Sequence, residues 1–325
     1  MKYRIIDLFA GIGGLRLGFE KAAKKHSIET QCVFSSEIDK YCIQTYITNF
    51  GKTNFFGDIS QIGNNKQINK SIPDFDLLFA GFPCQPFSQA GLKKGFNDTR
   101  GTLFFWIENI LKVKKPKAFL LENVKHLKGH DKGKTLNIIL KSLRKDYYVP
   151  DPKVLNAKDF GLPQNRERIY IVGFSKNHSH FEFPNPSFKK TTVGDILEKN
   201  VSKDYTISKK LWDGHKRRKK EHQLKGNGFG YGLFEKHSAH TNTISARYYK
   251  DGSEALISRG KNKLPRKLTE RECARLQGFP DHFKIPVSRN QAYRQFGNSV
   301  PVNVVEAICE RMLKYLEKKK LDIAA

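Results

Sequence analysis

The chain has 325 residues, 38 % of them apolar and 12 % aromatic, enough to bury a sizeable core as one large domain or two unequal ones. No stretch approaches the roughly 18 to 20 apolar residues of a membrane span, and five scattered cysteines (32, 42, 84, 273 and 309) without a CxxC pair argue against a disulfide framework or a structural zinc site. A net charge of +27 calls for a polyanionic partner, since each neutralised phosphate releases condensed counterions; DNA, RNA and anionic lipid all fit.

In chain order, Met1 to Asp7 enters strand-like sequence at once, leaving no room for a signal peptide, so a cytoplasmic protein without a leader is expected. Arg4 to Phe9 reads as a strand that runs through Asp7-Leu8-Phe9-Ala10-Gly11-Ile12-Gly13-Gly14 into a helix near 13 to 25. Glycines at such a turn let a ligand approach the backbone, as nucleoside sites require, though the GxGxxG spacing is incomplete. A second strand, Gln31 to Ser36, ends at Glu37, an acid placed to hold ribose hydroxyls, and Asp58 offers an acceptor for an adenine amino group. Together they favour an adenosine-containing cofactor, which, with no Lys-Ser/Thr phosphate motif, need not be a triphosphate.

Further strands are expected at Phe75 to Ala80, Ala118 to Glu122 and Arg168 to Phe174, with helices near 39 to 49, 101 to 113 and 133 to 145. Such alternation means an α/β fold: a doubly wound, mostly parallel sheet covered by helices, with ligands beyond the carboxyl ends of the strands. There stands Gly81-Phe82-Pro83-Cys84-Gln85-Pro86-Phe87-Ser88, whose prolines fix the backbone and aim the Cys84 sulfur into the expected crevice. A thiol attacks only as thiolate, which needs cationic neighbours; Arg166 and Arg168 are candidates, or pair structurally with acids such as Glu167. Glu122, after the next strand, is a structural acceptor or a proton donor. Cysteine, carboxylic acid and arginine suit attack on an electron-poor ring, and no histidine near Cys84 supports a protease.

From about 187 to 265 the pattern turns to Lys, Gly, His, Asn and aromatics without a helical period, a smaller irregular module of short strands. Residues 201 to 268 hold 17 Lys and Arg against 6 Asp and Glu, either a solvated face or a polyanion surface. Asp251-Gly252 reads as a tight turn displaying Arg247, Tyr249 and Lys250; Arg247 either bridges guanine O6 and N7 or holds a phosphate. A helix over Leu268 to Phe279 has the capping-box spacing of Thr269 and Glu272 and reads as a support. After Gly297-Asn298-Ser299-Val300-Pro301, with Asn298 or Ser299 as cap and Pro301 in the first turn, a terminal helix should dock through Val304, Val305, Ile308, Met312 and Leu316.

The Asp7–Gly14 turn, Gly81–Ser88, Glu122-Asn123-Val124, Gln164-Asn165-Arg166-Glu167-Arg168-Ile169-Tyr170, Arg271–Pro280 and Gln295-Phe296-Gly297-Asn298-Ser299-Val300 closely resemble, in order and spacing, the motifs of the DNA (cytosine-5) methyltransferases of restriction-modification systems. The match spans nearly the whole chain. It implies that Cys84 adds to C6 of a flipped-out cytosine, that Glu122 donates to N3, and that Arg168, with Arg166 behind it, holds the cytosine carbonyl. The cofactor implied is S-adenosylmethionine, leaving as S-adenosylhomocysteine, with no metal. Phe9 would lie against adenine, the Gly11 and Gly13 backbone near the methionine part, Glu37 on the ribose and Asp58 on the adenine amino group. Asn298 and Ser299 would close the pocket, and Asp7, Ala10, Gly14, Ile38, Ile59, Pro83 and Leu103 complete its lining.

By the same resemblance, Gln85, Ser88, Gln89, Arg100, Arg247, Tyr249 and Lys250 would contact double-stranded DNA. Residues 1–186, completed by 294–325, would form the catalytic domain and 187–293 the target-recognition domain and hinge. The Ser245–Glu254 and Gly226–Tyr231 stretches are similar to recognition regions of members that modify CCGG or CCNGG. A monomer is expected, with a partner restriction endonuclease as functional company and no amino-terminal regulator ahead of the Asp7 motif. An RNA cytosine-5 methyltransferase and a catalytically inactive DNA-binding module are the alternatives. A nicotinamide dehydrogenase leaves Pro83-Cys84 and Glu122 unexplained.

Overall fold

The computed structural model describes residues 2–52, 54–62, 65–83, 103–175, 180–187 and 189–324, with side chains to residue 318. The chain divides into two compact units: 1–155 with 167–185 and 304–325, and 156–166 with 186–303. The sequence reading draws its boundaries at 186/187 and 293/294. The short segment 156–166, interrupting the first unit, carries no compositional mark.

The first unit opens with β1 (Lys2–Leu8), α1 (Gly14–Lys25), β2 (Glu29–Ser36), α2 (Lys40–Phe50), β3 (Phe55–Phe56), α3 (Asn65–Ser71) and β4 (Leu77–Gly81). It continues through α4 (Leu103–Lys114), β5 (Ala118–Val124), α5 (Lys134–Leu143), β6 (Tyr147–Tyr148) and β7 (Lys153–Asn156). The two-residue β8 (Gln164–Asn165) belongs to the second unit, and β9 (Glu167–Ser175) returns to the first.

These strands form the expected mostly parallel sheet, in the order β3-β2-β1-β4-β5-β9-β6, with β7 on β9. The pairs from β3 to β5 are parallel, while β9 runs antiparallel to both β5 and β6. Ile5, Ile6 and Leu8 of β1, Leu77 to Ala80 of β4 and Ala118 to Leu121 of β5 are buried, the continuous apolar runs of strands covered on both faces. Strand order reverses between β1 and β4, so the crevice of a doubly wound sheet opens where Leu8 pairs with Ala80, at the carboxyl ends of both strands.

Helix α1 is entered through Gly13, at its N-cap position, whose φ of 82° is left-handed and easily reached only by glycine. It buries Leu15, Phe19, Ala22 and Ala23. At Gly18 it approaches the terminal helix so closely that an added Cβ would stand 2.6 Å from Val305 Cγ1. Lys21 and Lys25 reach across to Glu306, each at 2.6 Å.

In the second unit, α6 (Lys209–Leu224) is a 16-residue helix inside the stretch read as lacking helical period, and corrects that reading. Its cap is Ser208, whose Oγ accepts from Leu211 N, and its body is made of the good helix formers Lys, Arg, Glu and Gln. The period is hidden because the inward residues are Trp212, His215 and His222 in place of aliphatics. Short strands follow at β10 (Leu233–Phe234), β11 (Thr241–Asn242) and β12 (Leu256–Ile257); β10 pairs with β12, and β11 with β8.

Residues 248–251 form a single helical turn, α7 (Tyr248–Asp251), ended by Gly252 at φ 67°, where a tight turn at Asp251-Gly252 was expected. In α8 (Glu270–Leu276) the Thr269 and Glu272 capping box is present in both directions. Then come α9 (Arg289–Asn298) and α10 (Val302–Ala324). Here too the expectation needs correcting: Asn298 ends α9, Ser299 is its C-terminal cap, and Pro301 stands just before α10. Proline lacks the N–H that α9 would need to continue, so the chain breaks and restarts. Val304, Val305, Ile308, Met312 and Leu316 are buried as the spacing predicted.

Candidate active site

Two groups of residues meet at the switch point, both within the first unit. The first is built on the turn after β1. Phe9 holds a left-handed φ of 53°, a conformation costing a non-glycine residue of order 1 kcal/mol or more. The turn is held by Ala10 N donating to Ser36 O and Gly13 N to Ala10 O. Glu37 closes it: Oε2 accepts from Gly11 N at 2.8 Å, and Oε1 accepts from Ile38 N and Asp39 N at 2.8 and 2.9 Å. Gly11, at φ 53°, has open space where a side chain would be, whereas a Cβ on Gly13 would strike the Phe50 ring at 2.3 Å.

Beside this turn, Glu37 N donates to Phe56 O and Ser36 Oγ to Gly57 O, which brings Asp58 and the buried Ile59 near the end of β2. Ile38 is 75 % exposed, an apolar side chain left in the open at a strand terminus. Leu103, the first residue of α4, is half-buried.

Below the turn, Asp7 is fully buried. Tyr46 OH donates to its Oδ2 at 3.3 Å, while Oδ1 has no hydrogen-bond partner among the described residues. Burial pushes the carboxyl up to about 8, against the opposing pull of Arg16 and the Tyr46 hydrogen bond. Arg16 donates to Tyr46 OH and to Glu20, and its guanidinium lies 4.4 Å from the Phe50 ring centre.

The second group joins β4, β5 and β9. Gly81 pairs with Glu122, and its Cα faces that carboxylate closely: a Cβ on Gly81 would lie in ordinary contact, 3.6 Å from Glu122 Oε2. Arg168 Nε stands 3.1 Å from Glu122 Oε1, both side chains largely sheltered. Asn123 Nδ2 donates to Phe82 O at 2.9 Å, pinning the chain that leads into Pro83. The motif reading passed over Asn123 as a working residue, although it sits in the middle of Glu122-Asn123-Val124.

Cys84, Gln85, Ser88, Gln89 and Arg100 lie outside the described residues. Arg166 and Arg168, two positions apart, fall in different units. Arg166 is 1 % exposed, and its guanidinium donates to the carbonyls of Ile244, Gly297 and Ser299 at 2.9, 3.0 and 2.6 Å. It ties together two backbone segments of the second unit, at Ile244 and at Gly297 to Ser299. In that unit Asn298 is exposed and Ser299 half-buried.

Arg247, just before α7, and Lys250, within it, are exposed, and Tyr249 between them is held by Arg294, whose guanidinium lies 4.5 Å from the ring centre and donates to the hydroxyl at 3.1 Å. Arg294 was missed; its one signal was position, four residues ahead of Asn298. The described residues contain no group of three or more His, Cys, Asp or Glu fit for a metal, and none of their helices is long and apolar enough to cross a membrane.

Over residues 3–314 the chain matches the family described as C-5 cytosine-specific DNA methylase. It is 63 % identical to the Type II methyltransferase M.NlaX of Neisseria lactamica, over 95 % of this chain and 96 % of that protein. Identity is 60 % to M1.ScrFI of Lactococcus lactis subsp. cremoris, over 98 % and 80 %, and 45 % to M.HpaII of Haemophilus parainfluenzae, over 97 % and 90 %. Among solved structures, the S. pombe Dnmt2 methyltransferase superposes with a TM-score of 0.77 at 21 % identity, covering 97 % of this chain and 99 % of that one. That likeness bears on fold alone.

Proposed function

Starting from the chain's membership of the C-5 cytosine-specific DNA methylase family, as a DNA (cytosine-5) methyltransferase, we propose that it methylates C5 of a cytosine flipped out of a short duplex site, with Cys84, Glu122 and Arg168 as the catalytic residues. The observation that carries this reading is the Glu122 and Arg168 pair: Glu122 stands beside Gly81, three residues before Cys84, at the carboxyl ends of β5 and β4, and Arg168 meets it from the amino-terminal end of the antiparallel β9.

C5 of an aromatic pyrimidine is a poor nucleophile. Addition of the Cys84 thiolate to C6 forms an S–C6 bond and moves the ring electrons toward N3 and C5. Glu122 would hold a proton at N3 as that charge develops, and Arg168 would donate to the cytosine carbonyl at O2. After C5 is alkylated, loss of its proton restores the double bond and expels the sulfur. Because C6 is inaccessible inside a stacked duplex, the base must leave the helix first.

The turn after β1 fits S-adenosylmethionine: it offers open space beside Gly11, a strained Phe9, an exposed Ile38 and an Asp7 Oδ1 that has no hydrogen-bond partner among the described residues. When bound, it would supply an electrophilic methyl group carried on sulfonium sulfur. Phe9 would lie against the adenine, with Ala10, Gly14, Ile59, Pro83 and Leu103 lining the site, and Asp58 would accept from the amino group. Glu37 spends three of about four acceptor positions on backbone amides and keeps one for a ribose hydroxyl. Asn298 and Ser299 would be further cofactor contacts, and Gln85, Ser88, Gln89, Arg100, Arg247, Tyr249 and Lys250 would contact DNA.

The proposed site is CCGG or CCNGG, and protection from a cognate endonuclease the proposed purpose; the similarity of Ser245–Glu254 to readers of those sites supports the first, and the Type II designation of relatives the second. Bisulfite sequencing of a plasmid exposed to the protein tests activity and site together. Marks confined to one of these motifs are expected, and marks at an unrelated motif would remove the site assignment.

A further inference from the structure

Helix α6 holds seven Lys and Arg against two acids, and Lys216 to Lys220 are five consecutive cations. Like charges three and four residues apart repel and weaken an isolated helix, and α6 buries only His215 completely. It is nevertheless firmly mounted. Trp212 packs edge-on against Tyr231 at 4.6 Å, and Lys219 lays its stem along Gly230, where a Cβ would stand 2.8 Å from Lys219 Cγ, with its ammonium 4.6 Å from the Tyr231 ring centre.

The other anchor is the α7 turn. His215 Nε2 donates to Asp251 O at 3.3 Å, while its Nδ1 accepts from Arg218, which also reaches Asp251 Oδ2 at 3.3 Å. Burial holds His215 below its ordinary value, keeping the ring neutral and able to accept that bond. The inward face is therefore fixed to the turn that carries Arg247 and Lys250. The outward face shows Lys209, Lys210, Lys216, Arg217 and Lys220, all exposed. Lys216 meets Asp213 at 2.8 Å and Arg217 meets Glu221 at 3.6 Å, exposed pairs that hold little free energy and yield readily to another anion.

We propose that α6 is a phosphate-holding arm: its outward cations contact the DNA backbone alongside the α7 turn, adding sequence-independent affinity and extending the footprint beyond the base pairs that are read. A 16-residue helix is about 24 Å long, the rise of about seven base pairs, so a duplex cut back to the recognised site would lose part of this contact. The proposal rests on the chain being a DNA methyltransferase and not on which bases it reads.

The test is a binding titration of the K209Q/K210Q/R217Q/K220Q variant on a duplex of about 30 base pairs across a salt series. With about 0.9 in slope lost per phosphate contact, the plot of log affinity against log salt should become shallower by about two to four. Shortening the duplex to about 12 base pairs should weaken the unaltered protein far more than the variant. An unchanged slope overturns the proposal, as does an equal change from the matched set K24Q/K52Q/K145Q/K153Q on the first unit, which would show net charge alone at work. A bisulfite map of the variant's product at low salt keeps this apart from the site assignment: the same cytosines, marked only at higher protein concentration, are expected, and marks shifted to a different motif would overturn a sequence-independent role.

Discussion

Arg168 Nε and Glu122 Oε1 face each other at 3.1 Å across the antiparallel pair β9 and β5, where Glu122 stands opposite Tyr170 and Arg168 opposite Val124. Two charged groups are thereby presented side by side at the mouth of the switch point. If they act on one base, Glu122→Gln and Arg168→Lys should each lower the rate of methyl transfer by about 100-fold to 10,000-fold, and the double variant should lose far less than the product of the two. Transfer of labelled methyl groups measures this; multiplicative losses would mean independent roles.

Cys84→Ala should abolish transfer while duplex binding persists, and a duplex carrying 5-fluorocytosine at the target should become covalently trapped on the unaltered protein with the methyl donor present. Turnover retained by the alanine variant would end the nucleophile assignment.

Arg166 and Arg168 should separate cleanly by phenotype. Arg166→Met leaves three carbonyls of the second unit without their shared donor, about 1 to 3 kcal/mol for each one left unsatisfied, so the melting temperature should fall sharply. Arg168→Lys should leave melting nearly unchanged. Similar melting curves for the two would contradict the division of labour described above.

Asp7 sets a pH dependence whose sign follows from its burial. Its carboxyl, raised to about 8, binds a proton in the folded state that the unfolded chain releases near 4. Folding is thus favoured below the unfolded value, and this contribution is lost as pH rises from about 4 to about 8, at about 1.4 kcal/mol for each pH unit crossed. In the absence of cofactor, Asp7→Asn should be the more stable protein at pH 8 and lose its advantage toward pH 4. Parallel denaturation curves of the two proteins at both pH values would refute the buried neutral carboxyl.

Gly18→Ala pits about 1 kcal/mol of helix propensity against a Cβ placed 2.6 Å from Val305 Cγ1 and 3.1 Å from Glu306 N. Overpacking at about 1 to 3 kcal/mol outweighs the gain, so the midpoint of denaturation should fall, and Val305→Ala in the same chain should recover part of it. A stabilised Gly18→Ala would show that α1 and α10 part at little cost.

Strands β1, β4 and β5 were legible because a sheet covered on both faces needs unbroken apolar runs, and the acids and glycines after them stand at chain positions that a doubly wound fold turns into a crevice. Helix α6 was not legible, since its buried side is drawn from Trp212, His215 and His222. Helix α9 and the break at Ser299 were also missed, because Pro301 marks a restart and not the first turn of one helix.

What the amino-acid order by itself determined was the fold class, the family resemblance and the candidates at strand ends, all of which depend on local periodicity and on residues close in the chain. Tertiary structure alone decided which charges meet. Glu122 finds Arg168 across a strand pair, Glu37 finds Gly11, and Arg166 turns from a second catalytic candidate into the clasp of three carbonyls 78 to 133 residues away. A charge's partners are set by distances that only the packed chain defines, and no pattern of neighbours along the sequence carries them.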